Sequence, residues 1–130
     1  MSRKKDGEIS RGLKKYLKAI SEIEAEKGIV RVSDIANKLN VSMSSVSSSL
    51  RKLSSMGYVN YEKHFFVRFT VKGKSLADRL HYNFTILYRF LVDILKVDEA
   101  TARQQADEIC TDTYDVVVQK IDHYLRSNPW

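Results

Sequence analysis

Residues 32–53, VSDIANKLNVSMSSVSSSLRKL, read as two short helices joined by a tight turn, the second crowded with small hydroxyl side chains and closed by a basic pair. That is the sequence form of a helix-turn-helix. Ser33 offers a start signal for the first helix, since its hydroxyl can accept from an orphan backbone N–H, and Asp34 sits favourably against the helix dipole. Ile35, Ala36 and Leu39 fall at helical spacing, Asn40 suits the exit turn, and Val41 is placed to plug the angle between the helices. Ser42 then caps the second helix. There Val46, Leu50 and Leu53 form one apolar stripe, Ser44, Ser45, Ser47, Ser48 and Ser49 take the remaining surface, and Arg51 and Lys52 stand near the end. Serine is a mediocre helix former, so five of them gain nothing locally. Short hydroxyls do let a helix approach a phosphate backbone closely and donate hydrogen bonds to it. The alternative for this face is plain solvation.

The flanking sequence favours the reading head. Gly57 is a helix stop, and two alternating runs, Tyr58 to Glu62 and Phe66 to Val71, are separated by Lys63, His64 and Phe65. They read as a β-hairpin wing, with Val67, Phe69 and Val71 on one face and Arg68 on the other, where it could meet phosphate together with Lys63. Phe65 and Phe66 read as hairpin packing. Upstream, Leu13, Leu17, Ile20 and Ile23, joined by Tyr16, mark the buried stripe of a bracing helix that ends near Lys27 and Gly28.

Charge is segregated along the chain. Residues 1–18 carry seven Lys/Arg against two acids, residues 51–79 seven against two, and residues 93–130 four against eight. The two basic blocks flank the proposed head and wing, as expected if one end of the protein meets a polyanion. With 130 residues and 43% apolar content, the chain can bury an ordinary core. It shows no membrane span or signal peptide, which predicts a cytoplasmic protein with no membrane partner. A single cysteine excludes an internal disulfide.

After the wing, Gly73 to Leu95 reads as a long helix with Leu76, Leu80, Phe84, Leu87, Tyr88, Leu91, Ile94 and Leu95 at three- and four-residue spacing. Two helices follow, roughly Glu99 to Cys110 and Thr113 to Arg126, the last carrying Tyr114, Val117, Val118, Ile121, Tyr124 and Leu125 on one side. So much apolar surface beside a small head most simply serves dimerisation, through Phe84, Leu87, Tyr88, Leu91, Tyr114, Val117 and Ile121. The expected architecture is mostly α with a small β-hairpin wing. It comprises a basic flexible arm (1–10), a winged helix-turn-helix DNA-binding domain (11–72) and an all-α dimerisation domain (73–130).

The order of elements, together with the stretches EKGIVRVSDIANKLNVSMSSV (26–46), YVNYEK (58–63), TVKGKSLADRL (70–80) and RFLVDILKVDE (89–99), resembles the diphtheria-toxin-repressor and manganese-transport-regulator family of metal-dependent repressors, in a short form without a third domain. The resemblance implies a homodimeric transcription regulator, a repressor, on a palindromic double-stranded DNA site. By the same resemblance Ser42, Ser44, Ser45 and Ser48 face DNA, with Lys52 near phosphate. Adding the residue-level reading gives a DNA-binding set of Ser42, Ser44, Ser45, Ser48, Ser49, Arg51, Lys52, Lys63 and Arg68.

The metal ligands that the resemblance implies are mostly replaced. Their positions fall on Lys15 and Lys18, on Phe84, and on Asp107, Cys110 and Thr111, and a lysine ammonium cannot ligate a cation. The expectation is therefore no metal and no other cofactor, with Lys15 or Lys18 able to pair with Asp107 where the cation would have sat. The alternative is a relocated or degenerate site for a divalent transition metal such as Mn or Fe, built from His81, Asp107 and Cys110. Otherwise Cys110 reads as a buried small hydrophobe, His64 as a wing-tip residue and His123 as an exposed helix residue. No paired-carboxylate cluster, phosphate-binding glycine loop or nucleophile elbow points to an enzyme. A winged-helix protein-interaction module is the other rival, and the basic block around the wing argues against it.

Overall fold

The computed structural model describes residues 9–62 and 66–128. Lys63, His64 and Phe65, and the arm up to residue 8, lie outside them. In order, the elements are α1 (Arg11–Lys27), α2 (Val32–Leu39), α3 (Met43–Ser55), β1 (Val59–Asn60), β2 (Arg68–Phe69), α4 (Val71–Arg89), a π-helical turn (Phe90–Ile94), α5 (Glu99–Ile109) and α6 (Asp115–Ser127). They divide into two compact units, one running to Ala77 and the other starting at Asp78, so the division falls inside α4.

In the first unit, Ser10 caps α1 by accepting from Leu13 N–H at 3.2 Å, and Gly28 ends it in the left-handed conformation, φ 78°. Leu17, Ala19, Ile20 and Ile23 are buried, whereas Leu13 and Tyr16 are only half-buried. Ile9, assigned by sequence to the flexible arm, is 2% exposed. Ile9 therefore does not belong to the arm expected over residues 1–10, because an isoleucine beside a capped helix can join the core.

α2 does not start on Ser33. Asp34 supplies the cap, accepting from the Arg31 backbone N–H at 3.2 Å and from the Lys27 ammonium at 2.8 Å. That cation, first, and the backbone N–H hold its carboxyl below the ordinary carboxylate range. The cap position thus falls on Arg31, two residues earlier than Ser33, because the carboxylate of Asp34, the third residue of the helix, reaches back to the Arg31 N–H. Asn40 ends α2 in the left-handed region, φ 57°. Val41 does not plug the angle between the helices: it is 39% exposed, whereas Ile35, Ala36 and Val46 on the helices themselves are buried.

α3 begins as expected at Ser42, which accepts from Ser45 N–H at 3.1 Å. Val46, Leu50 and Leu53 are fully buried, each contributing about 1.5–3 kcal/mol of burial. Gly57 turns the chain at φ 85°. The wing is shorter than its alternation suggested, with Val59 paired to Phe69 and Asn60 to Arg68. Val67 is held instead by the segment after α1, its N–H donating to Val30 O at 2.9 Å.

Val71 is not a strand residue. Thr70 caps α4, its hydroxyl accepting from Gly73 N–H at 3.0 Å and donating to Gly57 O at 2.6 Å, which leaves Val71 on the first turn and 90% exposed. Gly73 is required there, because a Cβ would overlap the Tyr58 carbonyl oxygen and lie 2.8 Å from its carbon. Lys72 closes the junction, donating to Met56 O at 2.9 Å and sitting 4.5 Å from the centre of the Tyr58 ring.

In the second unit, Ile86, Leu87, Ala106, Cys110, Val118 and Leu125 form a buried cluster, with Phe84, Tyr88, Leu91, Ile94, Ile109 and Ile121 packed against it. The helical ladder widens at Phe90, where Leu95 N–H reaches back five residues to Phe90 O at 3.2 Å. Lys96 then reverses the chain at φ 59°, and Asp98 caps α5 by accepting from Thr101 N–H at 2.9 Å. α4 and α6 are joined by polar contacts as well as apolar ones. Asp122, 8% exposed, accepts from Tyr82 and from Arg126 at 3.0 Å, and Asn83, 3% exposed, donates to Asp115 at 3.2 Å. The Arg126 guanidinium, first, and the Tyr82 hydroxyl hold the Asp122 carboxyl below its ordinary range, while that carboxylate pushes the Tyr82 phenol up.

Candidate nucleic-acid interface

The outward face of α3 is assembled by the burial of its inward face. With Val46, Leu50 and Leu53 committed to the core, Ser44, Ser48 and Arg51 fall opposite them, and all three are exposed. Ser45 and Lys52 are exposed beside them. Ser42, Ser44 and Ser45 form a hydroxyl chain at the helix start: Ser42 Oγ lies 3.1 Å from Ser44 Oγ and donates to Ser45 Oγ at 2.9 Å. Ser42 spends its proton and both lone pairs inside this chain, whereas Ser44 and Ser45 each keep a lone pair or a proton for an outside partner, at the helix end where backbone dipoles favour an anion.

Two serines of the run are differently placed. Ser47 accepts from the Tyr61 hydroxyl at 3.2 Å, tying the reading helix to the wing. Ser49 is half-buried, three residues from Val46 and four from Leu53, at the margin of the core face. Arg68 is exposed on β2 opposite Asn60. Lys63 lies outside the described residues.

Two features of this face carried no signal in the apolar and basic patterns. Met43, the first residue of α3, is 55% exposed, although it stands three residues before Val46 and seven before Leu50 and so keeps the period of the buried stripe; its place on the first turn, directly after the cap, is the one sign that sets it apart. Arg31 lays its guanidinium 5.3 Å from the centre of the Phe66 ring, and Phe66 is itself 39% exposed. The Val30–Val67 pairing brings the neighbouring positions Arg31 and Phe66 together.

In the second unit the residues expected to dimerise fall into two groups. Leu87 is 5% exposed and belongs to the unit's own core, since α5 and α6 cover the centre of the α4 stripe. Phe84 and Tyr88 are stacked with ring centres 6.0 Å apart, and Arg103 lies 5.1 Å from the Tyr88 ring. Tyr114, Val117 and Tyr124 are 40%, 47% and 46% exposed, and with half-buried Ile121 they recur along α6 at intervals of three and four residues.

Two family models match successive parts of the chain. The family model for the iron dependent repressor N-terminal DNA binding domain matches residues 8–65, and that for the iron dependent repressor metal binding and dimerisation domain matches residues 70–128. The HTH-type transcriptional regulator MntR of Bacillus subtilis (strain 168) is 38% identical over 113 residues, covering 87% of this chain and 70% of MntR. The chain belongs to the iron dependent repressor family. Among solved members, the manganese regulator SloR superposes with a TM-score of 0.77 at 26% identity, over 92% of this chain and 56% of SloR. A manganese-dependent transcriptional repressor in complex with manganese gives 0.78 at 26% identity, over 89% of this chain and 53% of that one. The chain thus spans about half the length of these solved regulators.

Membership corrects the expectation that no cofactor is involved. The matching second domain is described as metal binding, and the solved relative carries manganese, so metal dependence is a property of the family. The side chains on view do not fit a centre of three or more protein ligands, because among the described residues no such group of His, Cys, Asp and Glu gathers. His81, Asp107 and Cys110 accordingly do not form one. His81 is exposed, and Cys110 is 1% exposed with its thiol donating to Asp107 O at 3.3 Å. Among the described residues no helix is long and apolar enough to cross a membrane.

Proposed function

We propose that this family member is a cytoplasmic transcription regulator, a repressor, that binds double-stranded DNA as a homodimer. The observation that carries the reading is the exposed face of α3, where Ser44, Ser45, Ser48, Arg51 and Lys52 stand outward from a core-locked helix inside the span matched by the family's DNA-binding model. Such a helix suits the major groove, its first turn at base edges and its basic end at phosphate. Arg68 on the wing adds a second phosphate contact. Two copies joined through the helical unit would address half-sites about 34–36 Å apart on a palindrome. The apolar run Tyr114, Val117, Ile121 and Tyr124 on α6, with Phe84, Tyr88 and Leu91 beside the core, supports self-association. Direct hydrogen-bond readout by serines is weaker than by bidentate arginine or amide groups, so DNA shape contributes to recognition.

The test is selection of binding duplexes from a random DNA pool with the purified protein, followed by affinity measurements across salt. Replacing Arg51 and Lys52 together by alanine should weaken binding and lower the slope of log affinity against log salt by about 2, roughly one per phosphate contact. Failure to enrich any duplex would overturn the DNA-binding reading in favour of a protein-interaction module.

A further inference from the structure

Met43 and Val41 flank the cap residue of the reading helix and stand 55% and 39% exposed. Along α2, the turn and α3 they are the large apolar side chains left in solvent; every other one is withdrawn into the core or half-buried. The rest of the outward face is hydroxyl and cation. A serine hydroxyl either donates or accepts, so it discriminates poorly between base edges. The major groove offers one apolar group, the C5-methyl of thymine, which apolar side chains contact. The residues that reach base edges in a helix-turn-helix are those at the start of the second helix, which is where this apolar pair stands.

We propose that Met43, with Val41 beside it, is the specificity-determining contact of the reading head and selects thymine by its methyl group. The inference rests on the DNA-binding reading and gives it a chemical preference. Met43 suits the task because its unbranched thioether can follow the methyl across small changes in docking. Its neighbours Ser42, Ser44 and Ser45 are hydrogen-bonded to one another and fix the helix start, while Met43 stays 55% exposed.

The experiment uses a duplex selected from the random pool and replaces each thymine in turn by deoxyuridine, which removes only the methyl. At one thymine in each half-site the loss should be about fourfold for the parent protein, the size of one buried methyl group. In Met43→Ser the same replacement should change affinity by less than about 1.5-fold, and Met43→Leu should restore the discrimination. Thermal unfolding of both variants checks that the helix start is intact. If no deoxyuridine position weakens parent binding, or if the sensitive position remains equally sensitive in Met43→Ser, the assignment is wrong although the protein still binds DNA. If no duplex is enriched at all, the DNA-binding reading falls and this assignment with it.

Discussion

Replacing Gly73 by alanine should destabilise the protein, although alanine is the better helix former. At an unhindered helix site the exchange gains about 1 kcal/mol. At Gly73 the new Cβ would overlap Tyr58 O and lie 2.8 Å from Tyr58 C and 3.2 Å from Phe69 Cδ1. Two of these three are backbone atoms that cannot rotate away. Moving the helix start off them strains the hydrogen bond from Thr70 N–H to Tyr58 O, 3.1 Å long, and the Thr70 cap on Gly73 N–H. Overpacking of this kind costs about 1–3 kcal/mol, and a lost cap adds about 1 kcal/mol. The net expectation is a loss of about 1–3 kcal/mol. Gly12→Ala is the control, since a Cβ there meets nothing within 4 Å, and it should leave stability unchanged or raise it by up to about 1 kcal/mol. Urea unfolding followed by circular dichroism reads both variants. If Gly73→Ala equals or exceeds the parent in stability, α4 does not start against the Tyr58 carbonyl and the account of the wing root is refuted.

Thr70→Val keeps the side chain's shape but removes both hydroxyl bonds of that junction, and should cost about 1–2 kcal/mol in the same assay; an unchanged midpoint would count against the capping role. Asp122, Asp34 and Asp98 each have a carboxyl held below its ordinary value, so their contribution is present above about pH 3.9 and is lost as pH falls through the lower folded values. Stability should therefore decline as the pH is taken below about 5, and Asp122→Asn should flatten part of that decline; identical slopes for parent and variant would remove Asp122 from the explanation. Val117→Lys puts a charge in the middle of the exposed α6 run and should shift the protein from dimer to monomer in sedimentation, with a matching loss of affinity for a two-half-site duplex. A dimer that persists would place the interface elsewhere.

Much of the head was legible because its signals are local. Ser42, Asn40 and Gly57 punctuate the chain through preferences of single residues, and Val46, Leu50 and Leu53 keep a helical period that nothing downstream disturbs. The readings that failed needed information from elsewhere in the chain. Ser33 is a good cap by type, but the Asp34 carboxylate, held by Lys27 from α1, reaches back to the Arg31 N–H and starts the helix earlier. The alternation of Val67, Phe69 and Val71 suggests a strand until Thr70 finds Gly57 O and starts a helix. On α4, Phe84 and Leu87 belong to one stripe in sequence, and only the packing of α5 and α6 makes the second fully buried and leaves the first partly so. Met43 keeps the same helical period as Val46 and Leu50, so its exposure does not follow from the pattern but from its place on the first turn of α3.

The widened turn at Phe90–Ile94 also has a consequence for how the chain can vary. A turn closed by a bond spanning five residues holds one residue more than an α-helical turn, so side chains beyond it are rotated out of phase with those before it. That slip accounts for Leu95, which continues the apolar stripe on an uninterrupted helical count yet is 55% exposed. Losing one residue inside this turn would give a tighter turn of the ordinary kind, whereas losing one within Val71–Arg89 would rotate every later side chain of α4 away from its neighbours. Length variation along the long helix should thus be tolerated at this turn.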